Sequence, residues 1–455
     1  MTSNAPDLAN AGASQLVQAL AARHIGALEA CDAAIARIES LDAQINAVVV
    51  RDFDRAREQA RAADAALARG ERRALLGLPM TVKESFNVAG LPTTWGFEFA
   101  RSLPVGEDAV AVQRLKAAGA VILGKTNVAL ALGNYESNNP VYGRTSHPLN
   151  PARTAGGSSG GAAAALAAGM VPLELGSDIG GSIRVPAHFC GVCGHKPTHG
   201  LLPTRGHEFP GYQAAPDVLS VIGPMARSAA DLELALDVLA GPDGEAARAY
   251  RLELPRVRHA RIGELRALVL TEHPSARTGA DVRHAVEEVA RCLAAAGARI
   301  ERTSPSLPDL AIVHADYVKL LLTIATRGGP NPPPSISAHE WLLLQDRRMR
   351  LQQDWRRLFE SFDVIIAPVF GTAAFEHLAA PDWEHTMLTI DGEPSLYRDQ
   401  LAWSGLVTVA GLPSTVMPAG KTARGLPLGL QIVGPMYEDR TPLAVARWLE
   451  QNHSL

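Results

Sequence analysis

The chain has 455 residues, 47% of them hydrophobic and 20% charged, with a formal net charge of −4. That composition belongs to a globular protein long enough for one large α/β domain or two ordinary ones. A slightly acidic balance with 5% aromatic residues argues against a nucleic-acid binder, and no apolar run reaches the ~18 residues of a membrane span.

Residues 14–70 read as helices, with Leu16, Leu20, Leu28, Ile35 and Ile38 at roughly helical spacing and an alanine-rich stretch from Arg55 to Ala68. Gly77-Leu78-Pro79 ends this region, and Met80-Thr81-Val82 reads as a short buried strand. A helix from Ala109 to Ala118 leads into the strand Ala120 to Leu123; a second helix, Gly161 to Gly169, leads into the extended run Val171 to Leu175. Beyond the turn Gly241-Pro242-Asp243-Gly244, the strand Ala267 to Leu270, the helix Asp281 to Ala296 and the strand Ala298 to Ile300 resemble another βα unit. Strands resume at Val364 to Ala367 and at Leu428 to Val433. Alternating strands and helices predict an α/β fold: a single large domain with a mixed, mostly parallel central sheet covered by helices on both faces. No signal peptide is visible at the start, Met1-Thr2-Ser3-Asn4-Ala5-Pro6, so the expected compartment is the cytoplasm.

Two clusters carry the chemistry: Gly156-Gly157-Ser158-Ser159-Gly160-Gly161 and Gly176-Ser177-Asp178-Ile179-Gly180-Gly181-Ser182. Glycine lets a substrate approach bare peptide N–H groups. A hydroxyl beside such amides provides a nucleophile and an oxyanion site together, the requirements of acyl transfer.

Other motifs compete with this reading. Gly119 to Thr126 fits the phosphate-loop pattern, but its variable positions, Ala-Val-Ile-Leu, are themselves the strand, whereas a phosphate loop must turn inward between a strand and a helix. A nucleotide-binding protein therefore stays as an alternative of another class, disfavoured by that context. Gly156 to Gly160 also fits the nucleophile-elbow pattern, although no acid and histidine are singled out downstream. Cys190 and Cys193 form a C-x-x-C near His188, His195 and His199. Their apolar surroundings favour packing thiols over a redox pair or a metal site, and no metal or cofactor is expected.

The segment Gly156 to Gly200 resembles the signature segment of the amidase signature family of serine hydrolases, with further matches at Gly77 to Glu84, Gly223 to Ser228, Asp363 to Pro368 and Gly411 to Pro435. The likeness spans about residues 15–440. It implies a Ser–cis-Ser–Lys triad: Ser182 as nucleophile, Ser158 as the bridging serine in a cis peptide, and Lys83 as base. It also implies an oxyanion hole from the N–H groups of Ile179, Gly180, Gly181 and Ser182.

The chemistry stands beside the resemblance. A lysine serves as base only when neutral, which requires burial or nearby positive charge, and Lys83 ends an apolar Met-Thr-Val stretch. Glu84 would point to the opposite face of the strand, away from Lys83. Asp178 and Arg184 read as an ion pair bracing the loop, Ser159 as loop support, and His188, His195, His199 and His207 as packing and loop hydrogen bonds.

The organisation that follows is one amidase domain over 1–455: N-terminal helices at 14–70, the catalytic core at 75–240, substrate-funnel segments within 305–400, and a return to the core sheet at 401–440. Pocket walls are expected from Gly133 to Tyr142, Thr204 to Ala215, Tyr317 to Ile336 and Phe370 to Tyr397. The expected activity is hydrolysis of small or aryl amides and of carbamates (urethanes) through a Ser182 acyl-enzyme. A glutaminase subunit of a tRNA-dependent amidotransferase is the alternative. The expected partner is the small-molecule substrate, without nucleic acid or membrane, in a chain that could pair as a homodimer.

Overall fold

The structure is a computed structural model that describes residues 9–212, 215–327, 336–379 and 381–453. At the N-terminal end, α1 (Ala13–Ala21), α2 (Ala27–Ile45) and α3 (Phe53–Ala68) form as their alanine-rich, amphipathic sequences predict. A strand, β1 (Val48–Arg51), interrupts the region read as wholly helical. Its three consecutive valines favour extended backbone, and it pairs antiparallel with the later strand Val121–Thr126. β2 (Pro79–Lys83) and β3 (Val121–Thr126), with α4 (Val110–Ala117) between them, are parallel neighbours and complete a three-stranded sheet.

Two small hairpins follow, β4 (Asn138–Asn139) with β5 (Gly143–Arg144) and β6 (Ser146–His147) with β7 (Asn150–Thr154). Then come α5 (Gly160–Ala167), β8 (Leu173–Asp178), α6 (Arg184–Cys190), β9 (Cys193–Lys196), β10 (Val221–Ala226) and α7 (Ala229–Leu239). The rest of the chain supplies α8 (Ala246–Ala249), β11 (Arg266–Val269), α9 (Ala280–Ala295), β12 (Arg299–Glu301), α10 (Leu310–Ala325), α11 (Ala338–Ser361) and β13 (Val364–Pro368). It closes with the hairpin β14 (Met387–Ile390) and β15 (Glu393–Leu396), α12 (Leu401–Thr408), β16 (Ser414–Lys421), β17 (Pro427–Val433) and α13 (Arg440–Asn452).

The large sheet has eight strands in the order β12-β11-β13-β17-β16-β9-β10-β8, so it draws on both sides of the Gly241–Gly244 turn. It is mixed, as expected, but it is not mostly parallel. Only β11 pairs parallel to its neighbours, β12 and β13; the other five pairings are antiparallel. Two of these pairs, β9 with β10 and β16 with β17, are consecutive strands joined without a helix, and such connections reverse a strand's direction; β8 with β10, β9 with β16 and β13 with β17 are set by longer-range pairing.

The two sheets adjoin along β2 and β8, and α5, whose sequence Gly-Gly-Ala-Ala-Ala-Ala-Leu-Ala is nearly all small, packs against both, touching β2 and β3 of one and β8 and β10 of the other. No side chain longer than leucine separates its backbone from either sheet. Its N-terminus therefore delivers Ser158 and Ser159 to the seam where the ends of β2 and β8 meet.

Candidate active site

Lys83 closes β2 and is wholly buried. Its Nζ donates to Ser158 Oγ at 2.7 Å and to Ser177 Oγ at 2.9 Å, and both acceptors are hydroxyls. Burial pulls its pKa down to about 7 against the opposing pull of the Asp178 charge, so near neutral pH a large share of the amine is unprotonated. Glu84 does not pair with it. That carboxylate instead accepts the N–H groups of Thr94 and Trp95 at 2.7 and 3.0 Å and the hydroxyl of Tyr142 at 3.0 Å. The Gly157–Ser158 peptide is cis. Gly157 must be glycine, because a Cβ there would sit 2.5 Å from the Asn134 carbonyl oxygen.

Following β8, every carbonyl of the Ile179–Ser182 loop is held. Ile179 O accepts from the Tyr317 hydroxyl at 2.9 Å and Gly180 O from the Tyr135 hydroxyl at 2.8 Å. Gly181 O accepts from Val185 N–H at 2.7 Å, and Ser182 O from Ser159 N–H at 3.1 Å. The amides are treated differently. Gly181 N–H donates to Asp178 Oδ1 at 2.9 Å, whereas among the described residues those of Ile179, Gly180 and Ser182 have no acceptor. Three of the four amides expected for an oxyanion hole are thus free, and the Gly181 amide is engaged by Asp178.

Asp178 and Arg184 form a fully buried ion pair, with Arg184 Nη2 at 2.8 Å from Asp178 Oδ1 and Nε at 3.0 Å from Oδ2. Burial alone would raise the carboxyl's pKa, but the Arg184 charge and its hydrogen bonds outweigh this and hold it at about 2. Arg184 also donates to Ser404 O, Thr408 Oγ1 and Gln431 Oε1, which ties the loop to α12 and β17. Ser159 supports the loop as well, through its amide to Ser182 O and its hydroxyl to Ser177 O at 3.4 Å. Ser182 is 6% exposed, and among the described residues its hydroxyl makes no hydrogen bond. A buried serine hydroxyl, a buried amine whose pKa is pulled down and three unpaired amides are the parts of a nucleophilic acyl-transfer site.

A family model described as Amidase matches residues 29–326 and 326–443. The chain is an amidase signature enzyme. It is 35% identical to a glutamyl-tRNA(Gln) amidotransferase subunit of Roseiflexus castenholzii, over 95% of this chain and 94% of the relative. It is 34% identical to AtzE, the 1-carboxybiuret hydrolase subunit of Pseudomonas sp. (strain ADP), over 96% and 97% of the two chains. Among solved structures, a chain of an inhibitor-bound protein complex described as revealing the evolutionary origins of an s-triazine catabolic enzyme superposes with a TM-score of 0.83 at 32% identity, covering 97% of this chain and 98% of that one. A bacterial aryl acylamidase shares the fold with a TM-score of 0.83 at 24% identity, over 97% of this chain and 96% of that one. Membership makes the chain a hydrolase of carbon–nitrogen bonds other than peptide bonds, with amides as the general substrate class.

Two features of this amidase signature site were not singled out in its sequence. Ser177 lies within the second cluster, and its contact with Lys83 arises only because β2 and β8 run side by side, Thr81 beside Glu174 and Lys83 beside Ser177. Tyr135 and Tyr317 come from distant segments, and nothing local marks their hydroxyls as partners of the loop. Of the four expected pocket walls, residues 213–214, 328–335 and 380 lie outside the described residues.

The histidines have structural partners. His188 lies between the Gly429 and Thr372 carbonyls, His195 between Thr415 and Asp439, His199 against the Asp217 carbonyl, and His207 against Ser85. Burial and then the Lys83 charge push His207 down to about 3, so it is a neutral ring near Lys83. Cys190 Sγ contacts Ala155 O and Cys193 Sγ contacts Glu450 Oε1, and both are free thiols. Among the described residues no three His, Cys, Asp or Glu side chains converge as a metal site requires. The phosphate-loop look-alike is the buried strand β3, and its Lys125 donates to the Pro92 carbonyl and, at 2.9 Å, to the Thr93 hydroxyl.

Proposed function

We propose that the protein hydrolyses small or aryl amides, and carbamates (urethanes), through an acyl-enzyme on Ser182, with Ser158 as the bridging serine and Lys83 as the base. The observation that carries this reading is the buried Lys83 amine, bonded only to hydroxyls, beside a loop with three unpaired amides. Neutral Lys83 accepts the Ser158 proton as Ser158 takes that of Ser182, and Ser182 Oγ attacks the substrate carbonyl. The oxyanion settles among the N–H groups of Ile179, Gly180 and Ser182. The proton returns through Ser158 to the departing amine, and water then hydrolyses the ester by the same relay.

Clusters of aromatic rings on both sides of the site support an aryl or otherwise flat substrate. On the loop side, the Tyr135 ring meets Phe370, Trp383 and Tyr397 at centroid distances of 5.3, 5.3 and 5.5 Å. On the lysine side, His207 meets Trp95 at 5.4 Å, and Phe209 meets Trp95 and Phe97 at 5.8 and 5.2 Å.

The likeness to a glutamyl-tRNA(Gln) amidotransferase favours one second reading, a glutaminase subunit that works within a complex. A panel of primary amides, anilides, carbamates and glutamine, read by released amine or ammonia, tests both. Turnover of anilides and carbamates with glutamine inert supports the first reading, and turnover of glutamine alone replaces it with the second. Turnover that persists in Ser182→Ala removes the acyl-enzyme.

A further inference from the structure

A peptide unit is planar and trans, so its C=O and N–H point in opposite directions and fixing one fixes the other. The Ile179–Ser182 loop uses this unit by unit. The Gly181–Ser182 unit is set from its oxygen side by Val185 N–H, which leaves Ser182 N–H free. The Gly180–Gly181 unit is held on both sides, its oxygen by Tyr135 and its N–H by Asp178. The Ile179–Gly180 unit is held on its oxygen side by the Tyr317 hydroxyl alone, and its N–H is free. Gly180 has no side chain to resist rotation about its own bonds, so that unit depends on its single anchor.

We infer that Tyr317 and Tyr135 are positioning residues for the oxyanion site: Tyr317 aims the Gly180 amide at the developing oxyanion, and Tyr135 locks the neighbouring unit so that Gly181 keeps its hydrogen bond to Asp178. This rests on the Ser182 acyl-enzyme reading. Both hydroxyls arrive from outside the signature segment. Tyr317 stands on α10 with its ring against Gly405 of α12, and Tyr135 stands in the loop before β4 with its ring among Phe370, Trp383 and Tyr397. Burial raises the pKa of both phenols, which keeps them protonated and donating. The aromatic cluster nearest the loop therefore holds the ring whose hydroxyl fixes the Gly180 carbonyl.

The test compares Tyr317→Phe and Tyr135→Phe, which keep the rings and remove one oxygen each. For Tyr317→Phe, kcat should fall between about 10- and 100-fold with KM nearly unchanged, short of the full loss of an oxyanion donor. Tyr135→Phe should lose less, because Asp178 still holds its peptide unit. A trifluoromethyl ketone matched to the best panel substrate, which forms an oxyanion on Ser182, should lose affinity in step with kcat/KM. Affinity for the neutral amide substrate, measured in the Ser182→Ala background, should stay within about twofold, because no oxyanion forms there. Equal loss of ketone and amide affinity would mean a merely structural role and would overturn the proposal, as would wild-type kcat in Tyr317→Phe or a larger loss in Tyr135→Phe. Melting temperatures confirm that each variant is folded before its rates are compared. Ser182→Ala separates the two levels: if it is active, the acyl-enzyme falls and the proposal with it; if it is inactive while Tyr317→Phe is unimpaired, only the proposal falls.

Discussion

Lys83 and Lys125 sit near the ends of adjacent parallel strands, and both are wholly buried. Burial lowers both, to about 7 and about 8. What separates them is the chemistry of their acceptors. Lys125 donates to the carbonyl of Pro92 and to a Thr93 hydroxyl whose own proton goes to Phe86 O. Lys196, a third buried lysine, is held by the carbonyls of Pro197 and Leu412. Carbonyls can only accept, so neither amine finds a proton to take up. Lys83 faces two hydroxyls, each able to reverse its role and donate into the lone pair of a neutral amine. Burial makes a lysine able to lose its proton; hydroxyl partners make the loss useful.

The largest effect that could break this contrast is Lys83→Ala, expected to lower kcat/KM by about 10²–10⁴-fold, the usual range for general base catalysis, with the fold retained. Lys125→Met should do the reverse. It strands the Pro92 carbonyl and the Thr93 hydroxyl and costs about 1–3 kcal/mol in stability by denaturant melts, while kcat per folded molecule holds. Equal activity losses in the two would erase the distinction.

The pH profile comes next. In the proposed relay the unprotonated amine is the active form, and burial has lowered its pKa, so kcat/KM should rise about tenfold per unit up to about pH 7 and level off above it. A flat profile from about pH 6 to 9 would count against a lysine base. The smallest effect is expected from Ser177→Ala, which leaves Lys83 with Ser158 alone: a loss of about 1 kcal/mol, or roughly fivefold in kcat/KM. Wild-type kinetics there would mean that Ser177 only fills space.

The parts of this site legible in the sequence were those written locally. The two glycine–serine clusters, the apolar strand ahead of Lys83 and the Asp178/Arg184 spacing all sit within short windows where residue type dictates conformation. What escaped depends on long-range pairing. The mainly antiparallel direction of the large sheet follows from which strands neighbour one another, and period-2 hydrophobicity does not encode that. Ser177 touches Lys83 across 94 positions, and Tyr317 reaches Ile179 across 138. A tyrosine on an amphipathic helix looks the same whether its hydroxyl meets water or a loop carbonyl. β1 was missed for another reason: three valines between two strong helices are too short a run to outweigh helical context.

The Arg184 clamp has a consequence for the order of events during synthesis. The guanidinium that braces the Asp178–Ser182 loop takes partners from Ser404, Thr408 and Gln431. Until the ribosome has released those residues, Arg184 has only Asp178, and the loop lacks its tie to α12 and β17. A nascent chain can hold every residue of the Ser158, Ser182 and Lys83 set and still lack the scaffold that fixes them. Ser182 is written early in the message, and the loop that carries it is tied down by the last strand.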